Sequence, residues 1–143
     1  MTTRPTRDDG RISLFLAVAM LGVLAIIGVS YDGAGQLRTL QRADDLAAEA
    51  ARSGGQMIDR AKAIEGRPKV IDERAARAAV GQYLGGLDDV TGWRVAFPVV
   101  AGEKQIQVRV TVVYRRHMLG LIGMNRTVTV SGEATARALT DRP

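Results

Sequence analysis

Near the start of the chain, residues 12–31 form an apolar run in which no side chain carries a charge. Twenty residues of α-helix are about 30 Å long, which matches the hydrocarbon core of a bilayer. A helix buried in a soluble core would show polar side chains on one face, and this run has no polar face. The pattern therefore predicts a transmembrane helix, whose span residues include Ile12, Leu16, Val23 and Ile27.

Beyond residue 31 the apolar positions recur every three or four residues. This spacing predicts an amphipathic helix over residues 32–65 that continues the span outside the membrane. Gly33 and Gly35 either mark a bend at the membrane surface or lie inside one continuous helix. Because most residues of the apolar stripe are alanine or glycine, we expect another element to approach the helix backbone closely. The predicted stripe consists of Leu37, Leu40, Ala43, Ala47, Ala50, Gly54, Met57 and Ala61.

Residues 66–143 predict a head domain of one helix and three strands that packs on the long helix. Asp72 is placed to N-cap a short helix that ends at Gly85 and Gly86. The apolar period then changes to two in three segments, which predicts an antiparallel sheet with one buried and one polar face. The predicted fold class is α+β, with a long N-terminal membrane and stalk helix and a short helix packed on one face of a three-stranded antiparallel sheet.

The connection between the last two predicted strands is apolar, although exposed loops are usually polar. Its apolar side chains surround two glycines and are those of Met118, Leu119, Leu121, Ile122 and Met124. One interpretation is that this loop folds back over the core, as most apolar clusters do. The other is that it is a contact surface for a neighbouring protein or for the membrane.

Composition and motifs exclude several function classes. The chain carries 20 Lys and Arg against 15 Asp and Glu and contains no cysteine, so disulfides and thiolate metal sites are excluded. The positive charge forms no stripe and aromatic residues are few, which argues against nucleic-acid binding. The single histidine, His117, has no nearby serine or carboxylate pair, and no nucleotide-binding or hydrolase motif occurs. We expect no catalytic residue, metal, cofactor or small-molecule substrate.

The charges that flank the span predict its orientation. Arg4, Arg7 and Arg11 precede it, whereas the nearest cations on the far side are Arg38 and Arg42. Because Lys and Arg are retained in the cytoplasm, we expect a single-pass protein of the cytoplasmic (inner) membrane, with residues 1–11 in the cytoplasm and the C-terminal domain extracytoplasmic. The alternative is a cleaved secretory signal. Signals have shorter apolar regions followed by small residues, whereas the DGAG segment after this span begins with an aspartate.

The order of these parts resembles the TadE/TadG-like proteins of tight-adherence (Flp pilus) systems, in their actinobacterial form. The resemblance covers about residues 7 to 139, and its most specific parts are DDGRISLFLAV joined to YDGAGQLRTLQRADDLAAEAAR, and LGLIG followed by VTVSGEATAR. It implies a pilin-like fold and a membrane-anchored minor pilin-like (pseudopilin) or accessory protein in the assembly of a Flp/Tad-type pilus or related secretion machine. The implied partners are other pilin-like subunits or Tad assembly-platform membrane proteins, together with the lipid bilayer.

The resemblance also raises the question of N-terminal processing. In related pilins a prepilin peptidase cuts after a glycine, and the fifth residue of the mature chain is a glutamate. On this chain the cut would follow Gly10, Arg11 would become the first residue, and Phe15 would stand in place of the glutamate. Without that glutamate a new amino terminus inside an apolar bundle would be an unpaired and costly charge, which favours an uncut, TadG-like anchor.

A second function stays open at this point. The chain can also be read as a tethered extracytoplasmic binding module for a cell-envelope partner, unrelated to a pilus. Neighbouring genes for a secretion ATPase and a polytopic platform protein would favour the pilus interpretation.

Overall fold

The computed structural model describes residues 9–59, 64 and 70–137. Its first element, helix α1 (Asp9–Gly55), contains 47 residues and runs from the apolar run into the head domain. At a rise of 1.5 Å per residue, α1 is about 70 Å long. Gly33 and Gly35 lie inside α1, so of the two alternatives the continuous helix is the one observed.

Helix α1 ends at Gly55, ten residues before the predicted boundary at residue 65. The last two residues of α1 are glycines, each of which weakens a helix by about 1 kcal/mol relative to alanine. The chain then turns, and the Met57 N–H donates to the Gly54 carbonyl at 3.1 Å. Just beyond the turn, Ile58 forms an antiparallel bridge with Ile71. The predicted stripe residue Ala61 lies outside the described residues.

A four-stranded antiparallel sheet is built around the central strand β3 (Glu103–Arg115). This strand pairs with β1 (Val90–Ala96), with the two-residue β2 (Val99–Val100) and with β4 (Thr127–Arg137). The predicted α+β class is confirmed, and β2 is the strand that the alternation missed. Pro98 lies between β1 and β2. Strand β2 is joined to β3 by a two-residue turn, Ala101 and Gly102, whose φ angles of 54° and 82° are both positive.

The core lies between the inner face of β3 and one stripe of α1. Ile106, Val108, Val110 and Val112 are at most 1% exposed, and their polar neighbours along β3 face the other side. From α1 the core receives Ala43, Ala47, Ala50 and Gly54, as predicted, together with Ala51. The one-sided sheet that the period-two pattern predicts is therefore observed.

Two residues of the predicted stripe are not in the core. Leu37 is 63% exposed and Leu40 is 36% exposed. In this part of α1 the residues that face the head are Asp32, Gly35 and Thr39, none of which is hydrophobic. The inward stripe therefore changes from alanine to polar residues and glycine towards the predicted span, which an apolar periodicity does not detect.

Helix α2 (Glu73–Leu84) closes one side of the core. Asp72 caps it as predicted, since its carboxylate accepts the N–H groups of Arg74 at 3.0 Å and Ala75 at 3.1 Å. The helix buries Ala76, Val80 and Leu84 and ends at Gly85. Tyr83, which the apolar spacing assigns to the buried face, is 38% exposed.

The small residues of α1 and β4 allow their backbones to touch. A Cβ atom on Gly132 of β4 would overlap the backbone of Ala43 and Asp44 in α1. Asp44 adds a hydrogen bond at this point, because its Oδ1 accepts the Glu133 N–H at 3.2 Å. The close approach that the alanine and glycine stripe predicts is therefore made by the last strand.

We expect Gly132→Ala to lower the free energy of unfolding by about 1–3 kcal/mol or more, because helix and strand backbones must separate. The measurement is denaturation of the full chain in detergent micelles, followed by the fluorescence of Trp93, the single tryptophan. Gly92→Ala in β1 is the matched control, since its added Cβ meets no atom within 4 Å. Equal denaturation midpoints for the two variants would contradict the backbone contact.

Candidate functional site

The most unusual polar contact in the structure lies where the predicted span meets the head domain. Asp32 is the first residue after the span, and it is only 2% exposed. The end of β3 and the apolar loop that follows pack against α1 at this level. We call this group of residues the junction; it consists of Gly28, Tyr31, Asp32, Gly35, Tyr114, His117, Met118 and Leu119.

Asp32 accepts four hydrogen bonds from groups more than 80 positions away in the chain. One carboxylate oxygen, Oδ1, accepts the Tyr114 hydroxyl at 3.1 Å and the His117 N–H at 2.9 Å. The other, Oδ2, accepts the N–H groups of Met118 at 3.1 Å and Leu119 at 2.7 Å. Both oxygens therefore have two donors each, which satisfies the buried charge.

The three backbone donors precede or open a short 3-10 helix, Leu119–Ile122. The first N–H groups of any helix lack partners inside it, and they form a natural binding site for an anion. The residue before this helix, Met118, provides no side-chain cap, and Asp32 supplies the missing acceptor from α1. At the other end the turn closes at Gly123, whose φ of 87° suits glycine.

Burial and hydrogen bonding act in opposite directions on the Asp32 carboxyl. Burial raises its pKa, whereas the bonds donated by Leu119, His117, Tyr114 and Met118 lower it. The bonds prevail, so the pKa of Asp32 lies below the ordinary value of 3.8. The same contact raises the pKa of the Tyr114 hydroxyl, first through burial and then because ionisation would remove its bond to Asp32. At neutral pH the junction therefore holds a carboxylate and a neutral phenol.

Tyr114, which bonds to Asp32, belongs to a group of three neighbouring aromatic rings. The Tyr114 ring lies against Gly35, where a Cβ atom would overlap it. The His117 ring meets the rings of Tyr31 and Tyr114 edge to face, with centroids 6.3 and 6.5 Å apart. His117 is itself exposed, and its backbone N–H donates to Asp32.

The apolar loop has two differently exposed sides. A Cβ on Gly28 would lie 3.4 Å from Met118 Cβ and 3.6 Å from Leu119 Cδ2, so these two residues pack on the last turn of the span. Leu121 is 79% exposed and Met124 is 45% exposed. The side chain of Ile122 lies outside the described part of the structure. One side of the loop therefore folds back onto α1, and the interpretation of the exposed side as a contact surface stays a prediction.

The predicted span and cleavage residues lie in the first half of α1. Arg11, Phe15 and the span residues Ile12, Leu16, Val23 and Ile27 are exposed on the isolated chain. Gly10 lies in the first turn of α1, and the cut after it stays a prediction. Arg4 and Arg7 lie outside the described residues. Within the described part of the chain, no three His, Asp or Glu side chains could hold a metal ion together.

Sequence reasoning missed the role of Asp32, which served only as evidence against a signal-peptide cut. Two features of the sequence could have pointed to this role. One is a single carboxylate directly after a long uncharged run, and the other is an apolar loop directly after a strand. Neither feature identifies the other from the sequence, because more than 80 residues separate them. Comparison of the chain with protein-family models, curated proteins and solved structures finds no match.

We expect Asp32→Asn to release the loop, because the amide NH₂ that replaces one oxygen cannot accept N–H bonds. Hydrogen exchange of the full chain in detergent micelles should become roughly tenfold faster or more at the Met118 and Leu119 amides. Asp45→Asn, on the exposed side of α1, is the control and should leave those amides unchanged. Unaltered loop protection in Asp32→Asn would show that the four bonds do not hold the loop.

The lowered pKa of Asp32 predicts a specific acid sensitivity. Because the folded protein binds this proton less readily than the unfolded chain, Asp32 stabilises the fold fully above the ordinary pKa of 3.8. That contribution is lost as the pH falls through the lower, folded value. The difference in melting temperature between wild type and Asp32→Asn should therefore shrink below pH 3.8.

The comparison with the variant isolates Asp32 from other acid-sensitive groups. The Arg42 guanidinium, 2.5 Å from Asp89, lowers the pKa of that carboxyl as well, and this effect is present in both proteins. A difference in melting temperature that stays constant from pH 6 to pH 2.5 would contradict the assigned charge state.

Proposed function

We propose that this chain is a single-pass membrane protein that presents a pilin-like head outside the cytoplasmic membrane. We further propose that it acts as a minor pilin-like or accessory subunit in the assembly of a Flp/Tad-type pilus or related secretion machine. Its role in this proposal is structural rather than catalytic. The observation that carries the proposal is helix α1, one continuous element that is apolar and exposed in its first half and part of the head's core in its second.

The exposed first half of α1 supports the membrane anchor. It is long and apolar enough to cross a membrane, and it contains an 18-residue stretch whose mean hydropathy is 2.8. Thirteen large hydrophobic side chains between Ile12 and Tyr31 are at least 50% exposed on the isolated chain. Water would hydrate this surface at a large free-energy cost, whereas lipid would cover it. The arginines that precede the span favour the topology with the head outside.

The junction argues for an anchor that is retained rather than cleaved as a secretory signal. A signal-peptidase cut in the DGAG segment, residues 32–35, would fall inside α1. It would break the helix within the segment in which Asp32 bonds to Tyr114 and the loop and Gly35 lies against Tyr114. A retained helix keeps these contacts, and the Phe15 position favours a chain that the prepilin peptidase leaves uncut.

The arrangement of the head supports a place among pilin-like proteins. A long N-terminal helix that is half membrane and half core, with an antiparallel sheet wrapped on one side, is the architecture expected of pilins from the resemblance. The partners in this proposal are other pilin-like subunits or polytopic membrane proteins of the assembly platform. The exposed apolar sides of the span, together with Leu37 and Leu40 just above it, are surfaces on which such helices would pack.

We expect a host strain that lacks this chain to lose its pili, and expression of the wild-type chain to restore them. Val23→Arg should fail to restore pili and should leave the membrane fraction on carbonate extraction, because a charge at mid-span disfavours insertion. Val23→Leu is the matched control and should behave as wild type. The readouts are pilus counts by electron microscopy and immunoblots of extracted membranes.

Two results would contradict different parts of the proposal. A Val23→Arg chain that stays in carbonate-washed membranes would contradict the anchor. Normal piliation of the deletion strain, with the anchor intact, would remove the pilus role and leave the tethered binding module as the better function.

A further inference from the structure

We propose that the outer side of the apolar loop inserts into the outer leaflet of the bilayer beside the span, so that the head rests on the membrane at a second point. The occupant of this surface is lipid, rather than the protein partner that the loop's composition alone allows. The inference rests on the proposed membrane anchor, and the experiment below separates the two.

The position of the loop along α1 is the first argument. Met118 and Leu119 pack on Gly28, which lies three residues inside the predicted end of the span. Three helical residues correspond to about 4.5 Å, so this contact lies at the depth where interfacial apolar elements are buried. The Asp32 bonds hold the loop at that depth. The loop is thus continuous with the surface that lipid covers on the span.

The exposed side of the loop is the second argument. Leu121 is 79% exposed and Met124 is 45% exposed, and they lie one short turn from the residues that contact Gly28. The Leu121 N–H bonds to the Met118 carbonyl at 3.1 Å, and the Met124 N–H bonds to the Leu119 carbonyl at 3.2 Å. Two N–H groups of the turn are therefore bonded within it, and those of Met118 and Leu119 bond to Asp32, which lowers the cost of bringing this segment into lipid.

The charges around the loop are the third argument. Arg115 and Arg116 end or follow β3, and Arg126 precedes β4, so three guanidinium groups flank the apolar turn. Arg115 and Arg126 are exposed. An apolar tip with a basic border matches the acyl and headgroup layers of an anionic leaflet. A hydrophobic protein interface would gain nothing from such a border unless its partner were acidic.

The opposite end of the head provides an internal comparison. Strand β3 runs antiparallel to α1, because Tyr114 lies beside Gly35 and Ile106 lies beside Gly54. Val99, at the far end in β2, is 65% exposed and therefore resembles Leu121 in apolar exposure. The residues of α1 between Gly35 and Gly54 separate the two ends by about 28 Å along the helix.

The test uses site-specific labels, which the absence of cysteine makes straightforward. Full-length chains carrying Val23→Cys, Leu121→Cys or Val99→Cys are labelled with an environment-sensitive fluorophore. They are then reconstituted in vesicles of phosphatidylcholine and phosphatidylglycerol. Quenching is compared between lipids that carry a spin label on the acyl chain and iodide in the water. Met124→Cys is a second loop site in case a label at position 121 disturbs the turn.

We expect the labels at Val23 and Leu121 to be quenched several-fold more by spin-labelled lipid than the label at Val99, which iodide should quench instead. If Leu121 and Met124 both behave like Val99 while Val23 is lipid-quenched, the loop does not insert and the inference is overturned. Loop labels shielded from both quenchers would indicate a protein contact, such as a second copy, and would overturn it too. A Val23 label that lipid does not quench would instead refute the anchor itself.

Discussion

The four hydrogen bonds to the Asp32 carboxylate join the apolar first half of helix α1 to the head domain. At this point the exposed apolar part of α1 meets the end of β3 and the loop that follows it. The bonds satisfy three backbone donors of the loop, of which the Leu119 N–H is buried and would be costly to leave without an acceptor. A charged acceptor suits this place because it binds two donors at each oxygen. The position of the loop, and of the strands it connects, depends on this contact.

The rest of the head depends on how closely a helix and a sheet can approach. Helix α1 is apolar on all sides where it would meet lipid, and it presents only a narrow stripe of alanine and glycine where it meets β3 and β4. Gly132 brings β4 against the backbone of Ala43, and the large residues of the core come almost entirely from β3 and α2. The second half of α1 therefore needs few large apolar side chains to pack in the head, whereas the first half is apolar on all sides.

Much of this fold could be predicted from local patterns. The uncharged run, the alanine stripe, the Asp72 cap and the period-two segments each report on interactions within a few residues, and each element is observed. The extension of α1 to residue 65 was wrong because paired glycines at the end of a periodic run end the helix at Gly55. Leu37 and Leu40 were assigned inward because apolar periodicity ignores Asp32, Gly35 and Thr39, the residues that face the head.

The junction could not be predicted in the same way, since it depends on tertiary contacts. Asp32 is a charged residue at the end of the predicted span, where exposure is the usual expectation, and three of its four donors are backbone groups that carry no residue-specific signal. The loop was recognised as unusual from its composition. Its division into a side that packs on Gly28 and an exposed side emerges only once α1 and β3 are placed together.

The most direct test of this account is a carbon-detected NMR titration of the Asp32 carboxyl in the full chain in detergent micelles. The account predicts a midpoint below 3.8, and amide signals of Met118 and Leu119 that shift with the same midpoint. A midpoint at or above 3.8, with those amides unresponsive, would mean that the carboxylate is not bound to the loop and that the head is not held to α1 at this point.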